Sequence, residues 1–220
     1  MADRRIGRQG SAAYDRVMTR FLPASDGPSV VLVRHGETEW SRSGRHTSVT
    51  DVALTWIGQQ QAHRVGEALR DMRFARVLCS PRRRARETAA LAGFDDPVVD
   101  DDLAEWDYGA LEGRTTREIS AEIGHPWSVW TAAAPDPAPA ETARDVAGRA
   151  DAVIARLGET IAQGADAAVF SHAHFLRVLA ARWLRLAPDE GARLALGTGS
   201  ISELGFEHSA PVLARWNTQV

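Results

Sequence analysis

The densest chemistry in this sequence is an Arg-His pair at the end of an apolar run. In Val30-Val31-Leu32-Val33-Arg34-His35-Gly36-Glu37-Thr38, four apolar residues predict a buried strand that stops at Arg34-His35. Open α/β sheets bind ligands just beyond the carboxyl ends of their strands. A guanidinium placed there can hold an oxyanion bidentately, and a neighbouring imidazole can act as a nucleophile. The pair suggests phosphoryl chemistry.

Three further stretches are of the same kind. Ser80-Pro81-Arg82-Arg83-Arg84-Ala85-Arg86 puts four Arg into the first turns of an expected helix. That is the positive end of the helix dipole, and like charges three or four apart repel. A bound dianion would offset both costs; a solvated basic face that tolerates them is the alternative. In Phe170-Ser171-His172-Ala173-His174 a strand again ends on a His with small neighbours, aiming His172 at the crevice expected for His35. His-x-His is also a possible metal pair, but no third ligand stands at a familiar spacing and no His-Glu-x-x-His occurs, so no metal is expected. Either His could instead cap the helix or pack in the core. Leu103-Ala104-Glu105-Trp106-Asp107-Tyr108-Gly109 sets carboxylates in an aromatic loop. Burial against Trp106 would suit Glu105 to general acid work; an ordinary acidic turn is the alternative, and Asp100, Asp101 and Asp102 fit that.

Cys79 precedes the Arg-rich loop, but a cysteine-dependent phosphatase loop needs Arg where Ala85 stands, and Cys79 is expected as a buried strand residue. Neither a Walker loop nor a Gly-x-Gly-x-x-Gly fingerprint appears, so no nucleotide or nicotinamide cofactor is expected.

The elements that must position these groups follow from periodicity. Strands are expected at 30–33, 76–79, 97–99 and 167–170, and a final hairpin-like pair at 200–207 and 212–217. Helices are expected over 55–72, with Trp56, Ile57, Val65, Ala68, Leu69 and Met72 on the apolar side, and over 141–162 and 173–186. Another should run from a Ser80 N-cap with Pro81 in its first turn to about Leu91. Residues 39–49 read as a loop. Alternating strands and helices imply an α/β fold with a mostly parallel sheet.

At 220 residues the chain fits one sizeable domain. Residues 1–28 read as a flexible arm, and 29–220 as a single domain with a short helical lid insertion over about 106–140. A net charge of −3 gives no case for nucleic acid or an anionic membrane as main partner. All 26 basic residues are Arg, which suits a GC-rich genome more than any function. One cysteine and no apolar stretch of ~18 residues point to a cytoplasmic enzyme. Oligomeric state is left open, with a homodimer as one option.

Taken together, Leu32-Val33-Arg34-His35-Gly36-Glu37-Thr38, the Ser80–Ala89 Arg motif, the Leu103–Gly113 acid segment and Ser171-His172 resemble, in order, the motifs of the histidine phosphatase superfamily. The resemblance implies a phosphoglycerate mutase-like three-layer α/β/α sandwich. It implies that His35 becomes a phosphohistidine and that Arg34, Arg84 and His172 bind the phosphoryl oxygens. Glu105 would protonate the leaving alkoxide, with no metal or cofactor. Thr47 stands where the family often has a phosphate-contacting Thr, and Ser41 where many members have Asn. Arg45, His46 and His174 are candidate selectors, and the Ala173 N–H a further phosphate contact.

Ser48, Ala140 and Ala173 each replace a residue usual in the family, and all three read as tuning. The 114–140 segment carries only Arg114 and Arg117, too few for the basic lid a mutase needs. The implied activity is therefore hydrolysis of small phosphorylated metabolites, on the acid and sugar-phosphate phosphatase branch. A cofactor-dependent phosphoglycerate mutase and a non-catalytic phosphate-binding scaffold are the alternatives.

Overall fold

The computed structural model describes residues 24, 25, 27–130 and 138–220. Most of the arm expected at 1–28 and the Pro-rich part of the insertion lie outside them. Strands β1 (Val30–Arg34), β2 (Arg76–Cys79), β3 (Val98–Val99), β4 (Ala167–Ser171), β5 (Ile201–Glu207) and β6 (Ala210–Thr218) form one sheet. Its order is β3-β2-β4-β1-β5-β6. The first four in that order are parallel, while β5 and β6 are antiparallel to their neighbours.

Strand periodicity divides the core into two. Val30, Leu32, Ala167 and Val169 face helices α5 (Ala143–Ala162) and α6 (Ala173–Trp183). Val31, Val33, Ala168 and Phe170 face α2 (Trp56–Leu69) and α3 (Arg83–Leu91). The central strands are apolar on both sides because both sides are covered. This is the three-layer α/β/α sandwich. No helix among the described residues is long and apolar enough to cross a membrane.

Several expectations are corrected. The loop expected at 39–49 opens with a short helix, α1 (Glu39–Ser43), held by reciprocal bonds between Thr38 and Ser41 and ended by Gly44 at φ 73. Trp56 and Ile57 are exposed, at 72% and 44%, because α2 buries Gly58, Ala62, Val65, Ala68 and Leu69, a stripe out of phase with them. Helix α3 starts at Arg83 rather than Ser80; the Ser80 hydroxyl is engaged by His172, and the residue at the cap position, Arg82, supplies no side-chain cap. Within 106–140, helix α4 (Thr116–Ile123) is formed, and Trp106, Tyr108, Leu111, Ile119, Trp127 and Val129 are all buried in the core.

One contact fixes the loop after β1. A Cβ on Gly36 would lie 2.3 Å from the Gly58 carbonyl oxygen, and one on Gly58 would lie 2.1 Å from that of Glu37. Backbone meets backbone here, so neither side can yield. Gly58→Ala should therefore lower stability by about 1–3 kcal/mol, although Ala favours a helix by ~1 kcal/mol. A denaturant midpoint equal to or above the wild-type value would refute this.

Candidate active site

The parallel strands deliver the site. Arg34 pairs with Ser171 and Cys79 with Phe170, so β1 and β4 end level with one another and β2 one residue short of them. The next residues, His35, His172 and Ser80, emerge side by side; the His35 and His172 rings lie 5.2 Å apart. Backbone bonds from His35 to Ser171 and from Ser80 to Phe170 tie the three exits together.

His35 Nδ1 lies 2.7 Å from the Gly36 carbonyl oxygen. A carbonyl only accepts, so Nδ1 carries the proton and Nε2 keeps its lone pair. Burial, then the charges of Arg84 and Arg34, hold this imidazole's pKa well below its ordinary value. A neutral ring with a free Nε2 is a nucleophile.

The guanidiniums are held by carbonyls. Arg84 is fully buried and donates to the backbone oxygens of Thr47, Ser48 and Thr50 at 3.1, 3.3 and 3.2 Å. Arg34 donates to that of Leu196. Burial lowers the Arg34 pKa to about 10, with Glu105 acting in the opposite direction, so it stays charged at neutral pH. Arg34 Nε, Arg84 Nε and His172 Nδ1 are buried without a partner among the described residues. Buried donors of this kind are rare and expensive unless something binds them. Arg83 and Arg86 are exposed, and Arg83 pairs with Glu87 at 2.6 Å. The solvated-face reading of the Arg cluster fits Arg83 and Arg86, whereas Arg84 is turned into the protein.

Glu105 sits at the start of α6. Its Oε1 accepts from the N–H groups of Trp106 (3.0 Å) and Phe175 (2.9 Å), and its Oε2 from that of His174 (3.1 Å). The residue at the cap position, His172, makes no cap bond, so Glu105 caps α6 from a distant loop. Asp100 and Asp102 both pair with Arg156, at 2.8 and 2.7 Å, and are structural.

The candidate substrate residues separate. His46 and His174 join Tyr108, Trp106, Trp127 and Trp130 in one aromatic wall. His174 Nδ1 meets the Tyr108 hydroxyl at 2.6 Å, and His46 Nε2 the Thr116 hydroxyl at 3.2 Å. His172 thus meets Ser80 while His174 meets Tyr108, and no group of three or more His, Cys, Asp or Glu that could hold a metal ion is found among the described residues. Thr47 offers its carbonyl to Arg84, and Ala173 opens α6. Ser41 spends its hydroxyl on the α1 cap. Arg45 is exposed and lines an outer groove with Glu39, Trp40, Arg42 and Ser43. Tyr108, Trp127, Trp130 and Ser80 take positions at the site that sequence reasoning did not assign; the only advance signal was a Ser-Pro directly after a strand. Cys79 is buried, and burial pushes its thiol pKa up to about 12, away from nucleophilic use.

His35, His172 and His174 have pKa values well below the ordinary range, and His46 is pushed down to about 4, in each case mainly by burial. The unfolded chain, with His near 6.5, takes up protons first as pH falls. The stability these groups contribute is complete above pH ~6.5 and, for His46, is lost as pH drops towards about 4. Each group removes about 1.4 kcal/mol per pH unit in that window. Melting in phosphate-free buffer should therefore move to lower temperature between pH ~7 and ~5; a constant or rising Tm would contradict it.

The histidine phosphatase superfamily (branch 1) model matches residues 30–219. The chain is 43% identical over 187 residues to an acid phosphatase of Mycobacterium tuberculosis, covering 84% of this chain and 90% of that one. It is 36% identical over 188 residues to sedoheptulose 1,7-bisphosphatase of Saccharomyces cerevisiae, covering 72% of this chain and 68% of that one. A solved structure of an open-reading-frame product of Mycobacterium tuberculosis superposes with a TM-score of 0.81 at 42% identity, covering 87% of this chain and 98% of that one. With its motifs brought to one crevice and these matches along nearly all of the described chain, the protein belongs to the histidine phosphatase superfamily.

Proposed function

We propose that this chain hydrolyses phosphomonoesters of small metabolites, sugar phosphates among them, through a phosphohistidine on His35 and without a metal ion. The observation that carries the reading is the lone pair on Nε2 of His35 near three buried nitrogens, Arg34 Nε, Arg84 Nε and His172 Nδ1, that lack a partner among the described residues. His35 Nε2 forms a bond to phosphorus as the ester P–O bond breaks. Arg34, Arg84 and His172 stabilise the charge on the three equatorial oxygens. Glu105 gives its proton to the departing alkoxide, then takes one from the water that cleaves the P–N bond and releases phosphate.

His46, Thr47, Ala173 and His174 are the proposed substrate-contacting set, with the aromatic wall selecting the organic part. Ser41 and Arg45 are not in it, because their side chains serve α1 and the outer groove. Hydrolysis is favoured over phosphoryl return to substrate because Arg114, one of two basic residues in the insertion, is paired with Glu122. A cytoplasmic location goes with this reading.

His35→Ala should abolish turnover while leaving the circular dichroism spectrum unchanged; full residual activity would mean another nucleophile. Chelator should leave the wild-type rate on p-nitrophenyl phosphate intact. Glu105→Gln should slow alkyl phosphates by about 10²–10⁴-fold but p-nitrophenyl phosphate far less, since that leaving group needs no proton. Equal losses on both would remove Glu105 as the acid. Isomerisation of 3-phosphoglycerate without free phosphate would identify a mutase instead.

A further inference from the structure

We propose that Ser80 is a positioning residue that fixes which nitrogen of His172 carries the proton, and so makes Nδ1 a donor to the phosphoryl group. The proposal rests on the phosphatase reading of the site but makes a separate claim about one hydroxyl.

Ser80 and His172 are both fully buried, and Ser80 Oγ lies 2.7 Å from His172 Nε2. The backbone of Ser80 is itself held, its N–H donating to the Phe170 carbonyl at 3.0 Å. Its hydroxyl oxygen already accepts the N–H of Arg82 at 3.3 Å. What the hydroxyl needs is an acceptor for its own proton, and His172 Nε2 supplies one. An imidazole that accepts at Nε2 and is neutral carries its single proton on Nδ1. Nδ1 is the ring atom that is buried without a partner among the described residues.

The surroundings make this choice matter. An imidazolium would donate from both nitrogens whatever its neighbours. His172 is surrounded instead by Arg84, Arg34, Arg82 and His35, and with burial they hold it neutral. With one N–H to place, the opposite tautomer would aim a lone pair at phosphoryl oxygens and replace an attraction by a repulsion. Ser80 thus acts through His172 in the way an orienting group acts on a catalytic imidazole.

The test uses the full chain in the ligand-free state and with orthovanadate, a mimic of the phosphoryl group in flight. ¹⁵N-edited NMR of His35→Ala protein, which removes the neighbouring ring, should find the His172 proton on Nδ1; finding it on Nε2 overturns the proposal before any turnover is measured. Ser80→Ala should lose about 10- to 100-fold in kcat/KM and in orthovanadate affinity alike, with the His172 proton moved to Nε2. Ser80→Thr, which keeps the hydroxyl, should recover most of both. A Ser80→Ala protein with wild-type kcat/KM and orthovanadate affinity overturns the proposal, as does a loss with the tautomer unchanged. Failure of the phosphatase reading looks different: wild type would then neither turn over phosphomonoesters nor bind orthovanadate.

Discussion

The register that brings the ends of β1, β4 and β2 together at one edge of the sheet is the constraint on which everything else depends. Side chains alternate across a strand, so a slip of one residue in either pairing would turn every core residue outward and send His35 or His172 to the opposite face. The register of Arg34 against Ser171 and Cys79 against Phe170 therefore fixes core and site at once. Valines and alanines buried on both faces hold that register. The site needs no dedicated scaffold beyond the core itself.

Within that frame the site is electrostatically unfinished. Two buried guanidiniums face two neutral imidazoles, and the carbonyls of Leu196, Thr47, Ser48 and Thr50 take up only part of their donor capacity. Buried cations left in this condition oppose folding. The core offsets that, and a phosphoryl dianion would complete what the backbone leaves undone. The same donors are already in place as charge spreads in the transition state, so little reorganisation is needed.

Strand ends, most helices and the four motifs are legible in the sequence because each is a local matter: an apolar run, a breaker, a charged group beside it. What was not legible depends on segments meeting in space. The wall around His174 draws on residues 46, 106, 108, 127 and 130, and no spacing along the chain announces that meeting. Arg45 illustrates the converse. It is adjacent in sequence to a site residue, yet its bridge with Thr115 and the turn at Gly44 leave it on the outer face. The residue type of Ser80 suits a helix cap, and His172 becomes its partner only once β4 lies beside β2. Helix α1 leaves little trace in the sequence because its cap pairs Thr38 with Ser41 rather than with the acidic residue that usually marks such a start.

Glu105 joins these levels most closely. An acid on a loop must be held to within a fraction of an ångström to act on a leaving group. Here the holding is done by α6, whose exposed N–H groups at His174 and Phe175 seek an acceptor that His172 does not supply. Oε1 takes two N–H bonds, while Oε2 takes one and keeps capacity for the proton that the proposed mechanism would have it hand over. On the proposed reading, the start of α6 would position the acid through its backbone N–H groups, and His172, at the cap position, would hold the phosphoryl oxygens through its ring. Proposed proton donor and proposed anion binder are then tied to one helix start, and the aromatic loop that carries Glu105 contributes the carboxylate without having to contribute the precision.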